Sequence, residues 1–314
     1  MRNLLQRTLN DSISCLGIGL HSGDKIKMTL RPAPAGTGIR FYRTDLPGAP
    51  EIRASLDNVI HTRLATTLSQ NGAVVGTVEH ILSTLTGLGV DNVRVELSGP
   101  EVPIMDGSAA PFVHLLKSVG VKPQSEFKKF YVIKQPITVT EGDKFVTVYP
   151  ASEFTIDYSI SFDHPLIRNQ AFKFTFSDMA FERELSRART FGFLKDVEYL
   201  KKNGLARGGS LANAVVIDHY RILNQDGLRY DDEFIRHKIL DFIGDISLIG
   251  APIIGMFMAS KSGHTLNHNL LTKLKASPWA WEQVEFSMPA HLEARHVSWP
   301  AWGLLDSVPH RAAA

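Results

Sequence analysis

Two residues, His237 and Asp241, have the i, i+4 spacing that lets an imidazole and a carboxylate reach one cation from a rigid helix. In IRHKILDFIGDISLIG, residues 235–250, Asp245 carries that polar stripe one turn further, within an arc of roughly 80° at the helical advance. Ile235, Ile239, Phe242, Ile243 and Ile246 fall on the opposite side, so the segment reads as an amphipathic helix. Such a His–Asp pair is more often an exposed ion pair than a metal site, and the stripe alone leaves both readings open.

Glu79-His80 is the second candidate. His80 reads either as a buried histidine bonded to the backbone, or as a third ligand with a general-base carboxylate beside it. Three protein ligands with an open position are the pattern of a catalytic zinc, whereas structural sites close with four. The third candidate is Lys261-Ser262-Gly263-His264. His264 and His268 form an H-x3-H pair, a rival metal site that lacks an acidic base. His264 fits a general acid better, with Asp245 to orient it and hold it protonated. Thr190 offers a hydroxyl to an oxyanion at the end of SRART, which otherwise reads as a basic helix end. Gly208-Gly209-Ser210 either presents N–H groups to an anion or simply turns the chain.

The elements that must position these residues follow from pattern. KIKMTLRP (25–32), GIRFYRT (38–44) and VRVEL (93–97) alternate with period two and read as strands. TVEHILSTLTGLG (77–89) reads as a helix stopped by its glycines. A second helix follows MDGSAAPFVHLLKSVG, with Asp106 or Ser108 as cap and Gly120 as stop. The polar stretch 118–130 reads as a domain boundary. Strands resume at YVIKQPITVT, FVTVYP, FTIDYSISF and AFKFTF; then come the helix of the polar stripe, a strand in APIIGMFMA, and a helix from near Thr265. Each half therefore runs strands, a helix carrying a histidine, a strand, and another helix. Asn267 and Asn269 suggest a polar surface, and the tail from about His291 has no periodicity.

Composition limits the function classes. The chain has 314 residues, enough for two cores, with 44% hydrophobic and 21% charged residues. A net charge of +2 is too small to make nucleic acid the main partner. A lone cysteine, Cys15, excludes an internal disulfide and fits a reducing compartment. No signal-peptide h-region is visible, and the longest uncharged run, 246–260, falls short of the ~20 apolar residues of a spanning helix. A cytoplasmic location is expected. No P-loop, GxGxxG, GxSxG or CxxC pair is present, against nucleotide hydrolysis, Rossmann redox chemistry, serine hydrolysis and a zinc ribbon.

TVEHILSTLTGLGVDN, EVPIMDGSAAPFV, SRARTFGF, RHKILDFIGD and KSGHTLNHNLL occur in the order found in the UDP-3-O-acyl-N-acetylglucosamine deacetylases, and the chain resembles that family from about residue 4 to about 285. The resemblance implies an α+β fold of two similar domains, here 1–126 and 127–314, each a β-sheet layered against two α-helices. The active site would lie at their interface, and a βαβ insert at about 191–216 would form a passage for an acyl chain. It implies one Zn2+ per chain, or Fe2+ in the cell, on His80, His237 and Asp241. Glu79 would be general base and His264 general acid, with Asp245 supporting it and Thr190 at the oxyanion.

Substrate contacts implied in the same way are Lys238, Lys261 and Lys144 near sugar and diphosphate, and Phe162 at the uracil. Phe191, Phe193, Leu194, Leu200, Gly209, Leu211 and Ala214 would lie along the passage. The expected partner is a UDP-sugar bearing an acyl chain, the expected reaction is the committed step of lipid A synthesis, and a monomer is expected. Two departures stand out. Residues 62–68, TRLATTL, have Ala65 and Thr67 but no cysteine, which some members carry near the metal. The tail beyond about 286 does not follow the family. A zinc amidohydrolase for another acylated amine, or a silent binding protein for UDP-sugar or acyl chain, are the competing readings.

Overall fold

Alternating side chains build the first sheet. In the computed structural model, which describes residues 4–286 and 310–312, β1 (Leu5–Leu9), β2 (Ile13–Ile18), β3 (Lys25–Pro32), β4 (Ile39–Arg43) and β5 (Glu51–Arg53) open the chain. A small antiparallel sheet of β6 (Val59–His61), β7 (Thr67–Gln70) and β8 (Ala73–Val75) leads to helix α1 (Glu79–Gly87). Strand β9 (Val93–Leu97) and helix α2 (Ala110–Val119) follow. The five-stranded sheet has the order β2-β3-β9-β4-β5, with β9 antiparallel to β3 and parallel to β4. Period two puts Ile26, Met28 and Leu30 of β3, and Val93, Val95 and Leu97 of β9, into the core. They share it with Ile81, Leu82 and Leu85 of α1 and Phe112 and Leu116 of α2.

The second half repeats the scheme. After β10 (Val121–Phe127) and β11 (Lys129–Ile133) come β12 (Ile137–Glu141), β13 (Lys144–Tyr149), β14 (Thr155–Ser161) and β15 (Asn169–Thr175). A short helix α3 (Asp178–Ala180) runs into a π-helical turn, Phe181–Leu185. β16 (Phe191–Phe193), α4 (Leu194–Lys202) and β17 (Val215–Ile217) form a βαβ unit with parallel strands. Then follow α5 (Glu233–Ile246), β18 (Ile253–Ile254), β19 (Met256–Ser260), α6 (His264–Lys275) and β20 (Trp281–Phe286). The sheet order is β12-β13-β19-β14-β15, with β19 antiparallel to β13 and parallel to β14. Strand for strand, this is the pairing of the first sheet, and the fold class is α+β, as the family resemblance implies.

Some boundaries differ from those expected. YVIKQPITVT is two strands, β11 and β12, broken before Pro136, which has no N–H for a ladder. The polar stretch read as a boundary is largely β10, which pairs antiparallel with β1. Helix α2 begins after Ala109; Ser108 Oγ accepts the N–H of Ala110 at 3.2 Å and donates to Asp106 Oδ1 at 2.8 Å, so the expected cap sits one residue ahead of the helix boundary. The final tail falls mostly outside the described residues. Among the described residues, no helix is long and apolar enough to cross a membrane.

One contact fixes the site. Helix α5 crosses α1 at Gly244, where a β-carbon would lie 2.1 Å from the carbonyl oxygen of Glu79. Only glycine allows backbones this close.

Candidate metal centre and active site

Helix α5 is buried along almost its whole length, so its polar stripe is not solvated: His237 is 2% exposed, Asp241 4% and Asp245 3%. His237 Nδ1 donates to the carbonyl of Ala188 at 3.0 Å, which leaves Nε2 as a bare acceptor. That Nε2 lies 3.2 Å from Asp241 Oδ1, and His80 Nε2 lies 3.4 Å from the same oxygen. The imidazoles meet edge to face, centroids 4.9 Å apart. Burial pushes His237 down to about 4 against the pull of Asp241, so it is neutral. Burial would raise the Asp241 carboxyl, but the polar His237 ring and the Lys238 ammonium beside it outweigh burial and hold the group well below the usual carboxylate range.

The donor set asks for a cation. Asp241 Oδ2 accepts from Lys238 Nζ at 2.8 Å, whereas Oδ1 is buried with no hydrogen-bond donor. An unserved buried carboxylate oxygen is costly. One ligand atom each from His80, His237 and Asp241 falls within 4.8 Å of the others. Two imidazoles and a carboxylate suit a divalent metal, zinc and iron(II) among them. His80 Nδ1 has no partner either, so His80 is not the backbone-bonded histidine of the simpler reading.

Two proton-transfer candidates flank this cluster. Glu79, first residue of α1, accepts the Thr66 N–H on Oε2 at 3.1 Å. Burial pushes its carboxyl up, while His264 and His80 pull it down. His264, first residue of α6, donates from Nδ1 to Asp245 Oδ2 at 2.8 Å. Burial alone would lower this imidazole, but the Asp245 carboxylate, with Glu79 and Asp241 beyond it, raises it to about 9. His264 is thus spoken for by Asp245, and the rival pairing with His268 does not form a metal cluster among the described residues.

These groups line one cavity of about 380 Å³. Thr190 and Lys238 stand on its wall beside Glu79, His80, His237, Asp241 and His264. Farther along lie Phe162, Phe191, Phe193 and Leu200, with Phe162 packed against Phe191 and Phe193 at centroid distances of 5.8 and 5.7 Å. The other expected contacts stand off this wall. Lys261 pairs with Asp143 at 2.5 Å, in the turn before the exposed Lys144 that opens β13. Leu194 and Leu211 are exposed on the insert. Gly209 sits in a turn to Ala206, and the carbonyl of Ala214 is held by Asn224.

Three residues escaped the sequence reading. Arg189, read as a basic helix end, is buried against Glu233, and so fixes the chain beside the Ala188 carbonyl that holds His237. Asn267, read as surface, is buried and donates to Asp245 Oδ2 at 2.8 Å. Its i+3, i+4 and i+7 spacing to Leu270, Leu271 and Leu274 on the apolar face was the available signal. Thr66 donates its hydroxyl to Asp245 Oδ1 at 2.6 Å. No spacing signals it, because its partners lie 13 and 179 residues away.

The family model described as UDP-3-O-acyl N-acetylglycosamine deacetylase (LpxC) matches residues 6–276. Among curated relatives, a UDP-3-O-acyl-N-acetylglucosamine deacetylase of Myxococcus xanthus is 56% identical over 279 residues, 89% of each chain. Proteins of the same name from Syntrophus aciditrophicus and Marinobacter nauticus are 53% and 55% identical, covering 90% of this chain and 89% and 93% of theirs. The chain belongs to the UDP-3-O-acyl-N-acetylglucosamine deacetylase family.

Proposed function

We propose that the protein hydrolyses the N-acetyl group of UDP-3-O-[(3R)-3-hydroxyacyl]-N-acetylglucosamine, giving acetate and the free amine, the committed step of lipid A biosynthesis. The observation that carries this reading is the cluster of His80, His237 and Asp241, with Glu79 and His264 on the same cavity wall, in a chain of this family. His80, His237 and Asp241 would hold one Zn2+, with Fe2+ an alternative in the cell. A metal bound there supplies a Lewis acid and lowers the pKa of water toward about 7. Glu79 takes the proton of the attacking water. Burial raises the basicity of this carboxylate, which suits the task.

Thr190 donates its hydroxyl to the oxyanion, and the charge of His264 stabilises it from the other side. His264 then passes its Nε2 proton to the departing nitrogen, so that the amine leaves neutral, while Asp245 keeps the ring oriented. Lys238, Lys261 and Lys144 serve the sugar and diphosphate, and Phe162 the uracil. The aromatic wall with Leu194, Leu200, Gly209, Leu211 and Ala214 serves the acyl chain. The division into domains 1–126 and 127–314, a monomer and a cytoplasmic location belong to the same reading. The test is acetate release from the UDP-acyl substrate against simple N-acetyl sugars, with metal content measured on the same sample. Equal turnover of both would point to a general amidohydrolase, and no release with metal present would leave a binding protein.

A further inference from the structure

We propose that Thr66 is a positioning residue of this reaction, holding the base and the acid pair in register with each other; the inference rests on the hydrolytic reading above. Thr66 is buried between the bend at 63–65 and the start of β7. Its carbonyl accepts the N–H of Val78 at 3.3 Å, which seats it against the start of α1. Its own N–H reaches Glu79 Oε2 at 3.1 Å, leaving Oε1 to receive a proton. Its side chain works in the other direction, with the hydroxyl 2.6 Å from Asp245 Oδ1 on α5.

Asp245 is thereby held at both oxygens. Oδ1 takes the Thr66 hydroxyl, while Oδ2 takes His264 Nδ1 and Asn267 Nδ2, each at 2.8 Å. Rotating this carboxylate would break all three bonds at once, so the lone pair facing His264 keeps one direction. A hydroxyl donor to an ionised acceptor is among the stronger hydrogen bonds a buried residue makes. One residue thus sets the geometry of both proton-transfer groups, through its backbone on one side and its side chain on the other. Partners that orient the ligands of a metal typically affect activity ~10–100-fold, and the same order is expected of one that orients the proton-transfer groups.

Thr66→Val keeps the β-branched shape and the backbone N–H and removes only the hydroxyl. In the zinc-loaded enzyme, the expected result is a kcat lower by about tenfold or more, with KM within about twofold and metal still bound. Thr66→Ser, which restores the hydroxyl without the methyl, should recover most of the rate. The His264 Nδ1 proton, shared with Asp245, should resonate far downfield by NMR. That signal should shift or broaden in the valine variant and return in the serine variant. Should valine not be tolerated, Thr66→Ala is read by the same measurements. Wild-type kcat and an unmoved proton signal would overturn the proposal. So would metal loss, or a serine variant as slow as the valine one, since packing would then be the role. Absence of acetate release from the wild-type protein would instead strike the hydrolytic reading itself.

Discussion

The two halves use one sheet plan, yet their corresponding helices do different work. In the first half α1 delivers Glu79 and His80 from its opening turn, and the rest of the helix is core. In the second half α5 delivers His237, Asp241 and Asp245 along three successive turns. The helices after β9 and β19 diverge further. The residues before α2 turn to the stretch that leads into α5, where Asp106 pairs with Arg229 at 2.8 Å. The start of α6 instead brings His264 to the cavity. A repeated frame thus permits an unequal division of side chains: one half brings Glu79 and His80 to the cavity, the other His237, Asp241 and His264.

The sharpest way to break that division is to remove one ligand from each half. His80→Ala and Asp241→Ala should both lose metal on dialysis and release no acetate, as read by elemental analysis and product assay. If His80→Ala keeps a full complement, the ion is held by the second half alone. Next come the proton-transfer groups. Glu79→Ala and His264→Ala should each retain metal while kcat falls by ~10²–10⁴, one from each half, and near-normal turnover in either would remove that residue from its role.

Gly244→Ala tests the contact that brings the halves together. Its β-carbon would meet the Glu79 backbone, so the helices must part, at a cost of about 1–3 kcal/mol in a denaturant titration and with weaker metal binding. An unchanged midpoint would mean that the crossing yields without strain. The pH dependence follows from His264. Because its pKa is raised to about 9, kcat should fall as pH rises through that region. Its ion pair stabilises the fold fully below about 6.5, and that contribution is lost as pH climbs past 9. In Asp245→Asn the burial effect is no longer opposed by this carboxylate, and the alkaline limb should move to lower pH. The smallest effect is expected at Leu211→Ser on the exposed face of the insert, within about 0.5 kcal/mol of wild-type stability.

Local periodicity made much of this legible. The strands 25–32 and 93–97 appear with the bounds read from alternation, and the His237–Asp241–Asp245 stripe keeps its common face. That the stripe is buried was not contained in the helix itself, because burial depends on α1 packing across Gly244 from a distant part of the chain. The family resemblance supplied His80 as its complement; spacing alone left that histidine ambiguous. Thr66 and Asn267 stayed hidden for a related reason. Polar residues reveal themselves in sequence when they break an apolar pattern, whereas these two matter through partners that only the tertiary fold supplies.

The split of the candidate metal cluster between α1 and α5 has a thermodynamic side. His80 and His237 are 157 positions apart (237 − 80), and an unfolded chain does not present them together. Any affinity for metal is therefore affinity for the assembled state alone, and it adds to folding stability in proportion to RT ln(1 + [M]/Kd). A chelator should lower the melting temperature of the intact protein but leave that of His80→Ala nearly unmoved, so that a thermal scan reads out how tightly the two halves are joined through the ion.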